Sequence, residues 1–129
     1  MSEVVPDEAA ALLAGARTVA HLATSVEDRP HVAPVWYRYE DGVVEVVTGG
    51  RKLRDLRANP RAALSVHAGD EGLPEWTVTV HGTATVVDDE AETREATRWI
   101  NRKYGVEPDA WAENTLVRID VGSASVRTY

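Results

Sequence analysis

Residues 76–86 alternate without a break. Trp76, Val78, Val80, Gly82, Ala84 and Val86 fall on one side of the chain, and Thr77, Thr79, His81, Thr83 and Thr85 on the other. Period two is the signature of a strand with one face covered and the other open. An alternation this regular commits the chain to a sheet.

The flanking segments fit around that strand. Residues 17–25 (RTVAHLATS) read as a strand, VEDRP as a turn, and residues 31–40 (HVAPVWYRYE) as a second strand interrupted by Pro34. Asp41-Gly42 is a hairpin signal, and residues 43–48 (VVEVVT) return from it. Residues 51–58 form a short helix with Leu53 and Leu56 inward, stopped by Asn59-Pro60, and residues 61–67 resume strand. Residues 68–75 (AGDEGLPE) read as a polar loop. Two other helices are expected. DEAAALLAG carries early acids and ends on Gly15, and residues 88–105 have acids first, Arg102 and Lys103 late, and Gly105 as a stop. The second of these presents Ala96, Trp99, Ile100, Lys103 and Tyr104 as its packing stripe. Residues 115–120 and 124–128 read as two closing strands. Roughly seven strands with short helices predict a mainly β chain, a small antiparallel barrel. No repeat or linker divides it, so residues 1–129 read as one domain.

Composition removes several classes of chemistry. The chain has 129 residues, 43% of them hydrophobic, and no cysteine. It can bury a core but has no thiolate nucleophile, disulfide or cysteine-bound metal. The net charge of −7 disfavours nucleic acid as a partner, because phosphate binding needs basic surface. No apolar run has membrane-spanning length, and MSEVVPDEAA is acidic where a secretory signal is basic. The expectation is a soluble cytoplasmic protein with no membrane partner. His21 and His81 lie on strands and could meet across the sheet, but no tight ligand spacing accompanies them, so no metal site is assigned.

Against this acidic background one run stands out. VTGGRKLRDLRANPRAAL places Arg51, Lys52, Arg54, Arg57 and Arg61 within eleven residues, with Asp55 alone opposing them. Thr48 can donate a hydroxyl, Gly49 and Gly50 allow converging backbone amides, Arg51 can bind an oxyanion bidentately, and Lys52 adds a point charge at a helix N-terminus. A terminal phosphate suits all of these. A capped helix with surface arginines is the plainer alternative, and Arg54, Arg57 and Arg61 read as solvent or subunit contacts. The spacing is not that of a P-loop.

PHVAPVWYRYEDGVVEVVTGGRKLRDLRANPRAAL resembles the pyridoxamine 5'-phosphate oxidase-like superfamily of flavoproteins. AHLATSVEDRPHVAPVWY is similar to its opening hairpin, TGGRKLRDLRANPRAAL to its phosphate-binding segment, and TVTVHGTATVV, with Gly82, to its following long strand. The resemblance implies a split antiparallel β-barrel, homodimeric, with FMN at the subunit interface. His31, Val32, Ala33, Pro34, Val35 and Trp36 would run along the flavin ring, and Thr48, Arg51 and Lys52 would hold the phosphate. Trp76 lies in a segment expected around the pocket, and Thr77 falls where the true oxidases carry a flavin-contacting glutamine. The terminal VRIDVGSASVRTY lacks their Arg/His substrate segment, so pyridoxamine 5'-phosphate oxidation is not the expected activity.

What the resemblance implies is an FMN-dependent oxidoreductase acting on a small organic molecule. A deazaflavin coenzyme is the alternative cofactor, and a non-catalytic flavin-binding sensor or carrier is the alternative role. Hydride chemistry would belong to the cofactor, so no side-chain nucleophile is required. His31, beside the ring by resemblance, is the candidate for substrate contact or proton donation, with a purely structural hydrogen bond as its other reading. Trp36 and Trp76 read as pocket residues, and Trp99 and Trp111 as packing residues.

Overall fold

The computed structural model describes residues 4–129; residues 1–3, which begin the acidic N-terminal segment, lie outside the described residues. The elements in chain order are α1 (Asp7–Gly15), β1 (Ala20–Val26), β2 (Arg29–Val35), β3 (Arg38–Glu40), β4 (Val43–Thr48), α2 (Gly50–Ala58), β5 (Arg61–Asp70), β6 (Leu73–Val87), α3 (Glu90–Lys103) and β7 (Thr115–Thr128). All seven strands join one antiparallel sheet in the order β2-β1-β5-β6-β7-β4-β3. The mainly β reading with short helices holds.

The barrel does not. The sheet is open: β2 and β3 are its two edges, and no ladder joins them. The physical reason lies in those strands. β2 contains Pro30 and Pro34, which have no amide to donate, and β3 is three residues long. The strand expected over residues 31–40 therefore breaks at Trp36-Tyr37 into two separate edges.

Elsewhere the sheet is longer than expected. The loop foreseen over residues 68–75 is a hairpin: β5 and β6 stay paired to Asp70 and Leu73, turning through Glu71 and Gly72 at φ 50° and 81°. The two closing strands are one, β7, which pairs with β6 from Leu116 to Thr128 across a bulge. A bulge separates the pairs His81–Ser123 and Gly82–Val121. At that step a Cβ on Gly82 would lie 2.4 Å from the Asp120 carbonyl oxygen, so only glycine lets the strands approach.

The alternation in β6 performs as the sequence requires, with Val78, Val80 and Ala84 buried. They pack with Leu22, Leu64, Val66, Val44, Val46, Val117 and Ile119 in a core that includes Leu13 of α1 and Leu56 of α2. Tyr37 is fully buried among them, its hydroxyl donating to the Leu13 carbonyl at 2.6 Å. α3 packs on β4 and β7, but with a rotated face: Ala96, Thr97, Ile100 and Asn101 are buried, while Trp99 is 38% exposed beneath the Arg38 guanidinium.

Candidate functional site

A cavity of about 440 Å³ opens between the sheet, α2 and α3. Its sheet side is made by Val19, Pro34, Val35, Val47 and Thr48; Lys52 enters from α2, and Thr97, Ile100 and Asn101 from α3. Trp36, Ala110, Trp111 and Asn114 complete the wall.

The polar end is built at the junction of β4 and α2. Thr48, the last residue of β4, is buried and pairs with Thr115 of β7. α2 follows after Gly49, and no side chain caps its first turn. Gly50 takes φ +62°, a conformation that favours glycine. The amides of this turn are left for another acceptor. Lys52 has no carboxylate within ion-pair distance among the described residues.

The other basic residues of the run are committed elsewhere or open to solvent. Arg51 pairs with Asp55 at 3.5 Å, one helical turn on, and does not line the cavity. Asp55 is itself buried and accepts the Thr24 hydroxyl at 2.9 Å. Arg57 reaches Asp88 at 2.9 Å. Arg54 and Arg61 are exposed. In a chain this acidic, two of the run's arginines answer specific carboxylates.

The apolar end is aromatic. The Trp36 ring lies parallel to Tyr104, 4.7 Å between centroids and 7° between planes, and meets Trp111 edge-on at 5.3 Å. Tyr104 is fixed by donating to the Thr18 carbonyl at 2.9 Å. Beside it Lys103 Nζ donates to the Tyr37 carbonyl at 2.9 Å and lies 3.7 Å from the Tyr37 ring centroid. Burial, with Arg17 nearby, lowers Lys103 to a pKa of about 8.

Of the residues singled out from sequence, Pro34, Val35, Trp36, Thr48 and Lys52 meet in this cavity. His31, Val32, Ala33, Arg51, Trp76 and Thr77 do not line it. His31, Val32 and Ala33 belong to the edge strand β2, where Val32 is 64% exposed. Thr77 borders a separate recess by the β5–β6 hairpin. His21 stacks with His67, 6.1 Å between centroids, rather than meeting His81.

Sequence reasoning missed the α3 wall and Trp111. The signal for α3 was present: Thr97 and Asn101, four apart, flank Ile100 on one helical face. Asn101 then organises the chain beyond the helix. Its Nδ2 donates to the carbonyls of Glu107, Pro108 and Ala110 at 3.0, 2.9 and 2.9 Å, and so positions the segment carrying Trp111.

The family model for pyridoxamine 5'-phosphate oxidase matches residues 6–128. The chain belongs to the pyridoxamine 5'-phosphate oxidase family. Solved structures of similar fold include an F420 reductase, 26% identical, TM-score 0.76, covering 94% of this chain and 98% of that one. The FAD-binding protein of Mycobacterium smegmatis is 25% identical, with TM-score 0.67 and coverage of 95% and 94%. A FAD-binding protein of Mesorhizobium loti is 24% identical, with TM-score 0.77 and coverage of 97% and 96%, a likeness of fold. No curated protein matches the chain. This family member thus shares its architecture, over nearly its whole length, with proteins whose names refer to different cofactors.

Proposed function

We propose that the chain is an FMN-binding oxidoreductase acting on a small organic substrate. The observation that carries this reading is the meeting, in one cavity, of the Pro34–Trp36 wall with Thr48 and with Lys52 of the first turn of α2, which pairs with no carboxylate among the described residues. A planar ring linked to a phosphate fits both ends. The phosphate would accept from the Thr48 hydroxyl and the α2 amides and sit beside the Lys52 ammonium. The ring would lie along Pro34, Val35 and Trp36, with Trp111 restricting water. Bound FMN would supply reversible hydride and electron transfer, and the protein would orient it.

The deazaflavin alternative has a specific support in the 26% identical F420 reductase, whose coenzyme would use the same anion-binding end. A homodimer with the cofactor between subunits accompanies either reading. β2 is a free edge beside the cavity, and its exposed Val32 gives a second copy a surface to cover. The domain would comprise the whole chain and work in the cytoplasm.

The deciding experiment is the visible spectrum of freshly purified protein, with the released ligand identified by mass and the molar mass taken by light scattering. Near-stoichiometric FMN in a dimer is the expected result. A deazaflavin instead would transfer the same cavity to the other coenzyme, and uptake of neither would overturn the reading. Reduction by a nicotinamide donor followed by turnover separates an enzyme from a carrier. Lys52→Ala should weaken FMN at least tenfold and riboflavin, which has no phosphate, by about twofold or less. Equal loss of both would remove Lys52 from the phosphate.

A further inference from the structure

Among the described residues one buried side-chain oxygen or nitrogen has no hydrogen-bond partner, and it is Thr97 Oγ1. Thr97 is 5% exposed on α3, which is 14 residues long. A threonine hydroxyl inside a helix ordinarily returns to the carbonyl three or four residues earlier, and this one does not. An unsatisfied buried hydroxyl destabilises the folded chain, whereas valine would fill nearly the same space without that cost.

Position gives the orphan its meaning. Thr97 lines the cavity between the sheet, α2 and α3 and also a neighbouring, acid-rimmed one; Asn114 is the other residue common to both. Asn114 packs against the start of α2, since a Cβ on Gly49 would lie 3.1 Å from its Oδ1. Thr115, next in sequence, pairs with Thr48. Thr97 thus lines the cavity from the α3 side and shares both recesses with Asn114, the residue that packs on the start of α2. Threonine uses two χ1 rotamers in helices, so one rotation exchanges methyl and hydroxyl without moving the backbone.

The geometry points to Thr97 as a further ligand-binding residue, its hydroxyl donating to a phosphate oxygen of the bound cofactor. The inference rests on the proposed flavin reading. It explains why a polar atom is kept buried and unpaired on a residue lining the cavity that Lys52 and Thr48 also line: the partner arrives with the ligand. It also makes α3 part of the phosphate site, together with β4 and α2.

Two variants test it, Thr97→Val and Thr97→Ser, each titrated with FMN and with riboflavin by flavin fluorescence and each melted without ligand. The expected result is an about tenfold weaker FMN affinity for Thr97→Val, unchanged riboflavin affinity, and near-normal FMN binding by Thr97→Ser. Ligand-free Thr97→Val should melt a few degrees higher than the parent, the opposite of what a merely structural threonine would give. Undiminished FMN binding by Thr97→Val, or equal loss of FMN and riboflavin, overturns the phosphate assignment while leaving the flavin reading intact. A lower melting point for ligand-free Thr97→Val overturns the unsatisfied hydroxyl. If the parent protein takes up neither flavin, the flavin reading itself fails and takes this assignment with it.

Discussion

Arg51 and Lys52 are adjacent cations with different environments. Asp55, on the buried face of α2, accepts the Thr24 hydroxyl and draws Arg51 along the helix, so Arg51 stabilises the element while Lys52 faces the cavity. Arg51→Ala should therefore change FMN affinity by about twofold or less. It should cost under ~1 kcal/mol of stability, because the Arg51 side chain is 45% exposed and solvent screens the pair. Asp55→Ala should cost more, about 2 kcal/mol, since Thr24 then keeps a buried donor with no acceptor. Urea denaturation of the two variants measures both effects. Similar losses for both would mean that the surface pair, not the buried hydrogen bond, carries the stability.

At the scale of elements, the cavity depends on how α3 and the segment after it are held. Asn101 reaches three carbonyls beyond the helix end, and Gly105 at φ +75° lets the chain turn there. Asn101→Leu removes the donors and leaves those carbonyls to water, so the segment around Trp111 should loosen. The expected outcome is a loss of about 2 kcal/mol and faster proteolytic cleavage within residues 106–113. A variant cleaved as slowly as the parent would show that the Trp36–Trp111 contact suffices. β4 is secured on its outer side by Glu45, which pairs with Arg38 of β3 and with Arg118 of β7 at 2.9 Å. Arg118 in turn reaches Glu92 of α3 at 2.9 Å, so one buried carboxylate links two strands to the helix that walls the cavity.

For the whole molecule the informative variable is pH. Lys103 titrates near 8 when folded, against an ordinary 10.5. Between those values the unfolded chain holds a proton that the folded chain has lost, so stability rises with pH across that window. Burial, reinforced by Tyr104, raises Tyr37, and burial raises Tyr104 while the Tyr37 backbone opposes it. Above their ordinary 10.0 the unfolded tyrosines ionise first, and stability falls. Melting should therefore rise by ~2 °C from pH 8 and peak near pH 10, the rise being small because Lys103 is only half-buried. Lys103→Met should abolish the rise and keep the alkaline fall; a rise that survives the substitution would assign it to another group.

The sequence by itself determined the long strand β6, the three helices, and Thr48 and Lys52 at the polar end of the cavity. Each of those rests on local chemistry: the alternation along β6, the acids opening α3, and Thr48-Gly49-Gly50 leading into a helix with Lys52 on its first turn. Tertiary structure decided the rest. Whether the sheet closes depends on a ladder between strands at its two extremes, and no period within either strand encodes that pairing. Whether Arg51 serves a ligand or Asp55 depends on Thr24, thirty-one residues away from Asp55, burying that carboxylate. The wall opposite Lys52 depends on the rotation of α3 about its axis, which packing on β4 and β7 sets, turning Thr97 and Asn101 inward and Trp99 out. Local pattern selects an element and the face it can bury; contacts between distant segments choose its neighbours and hence the shape of the cavity.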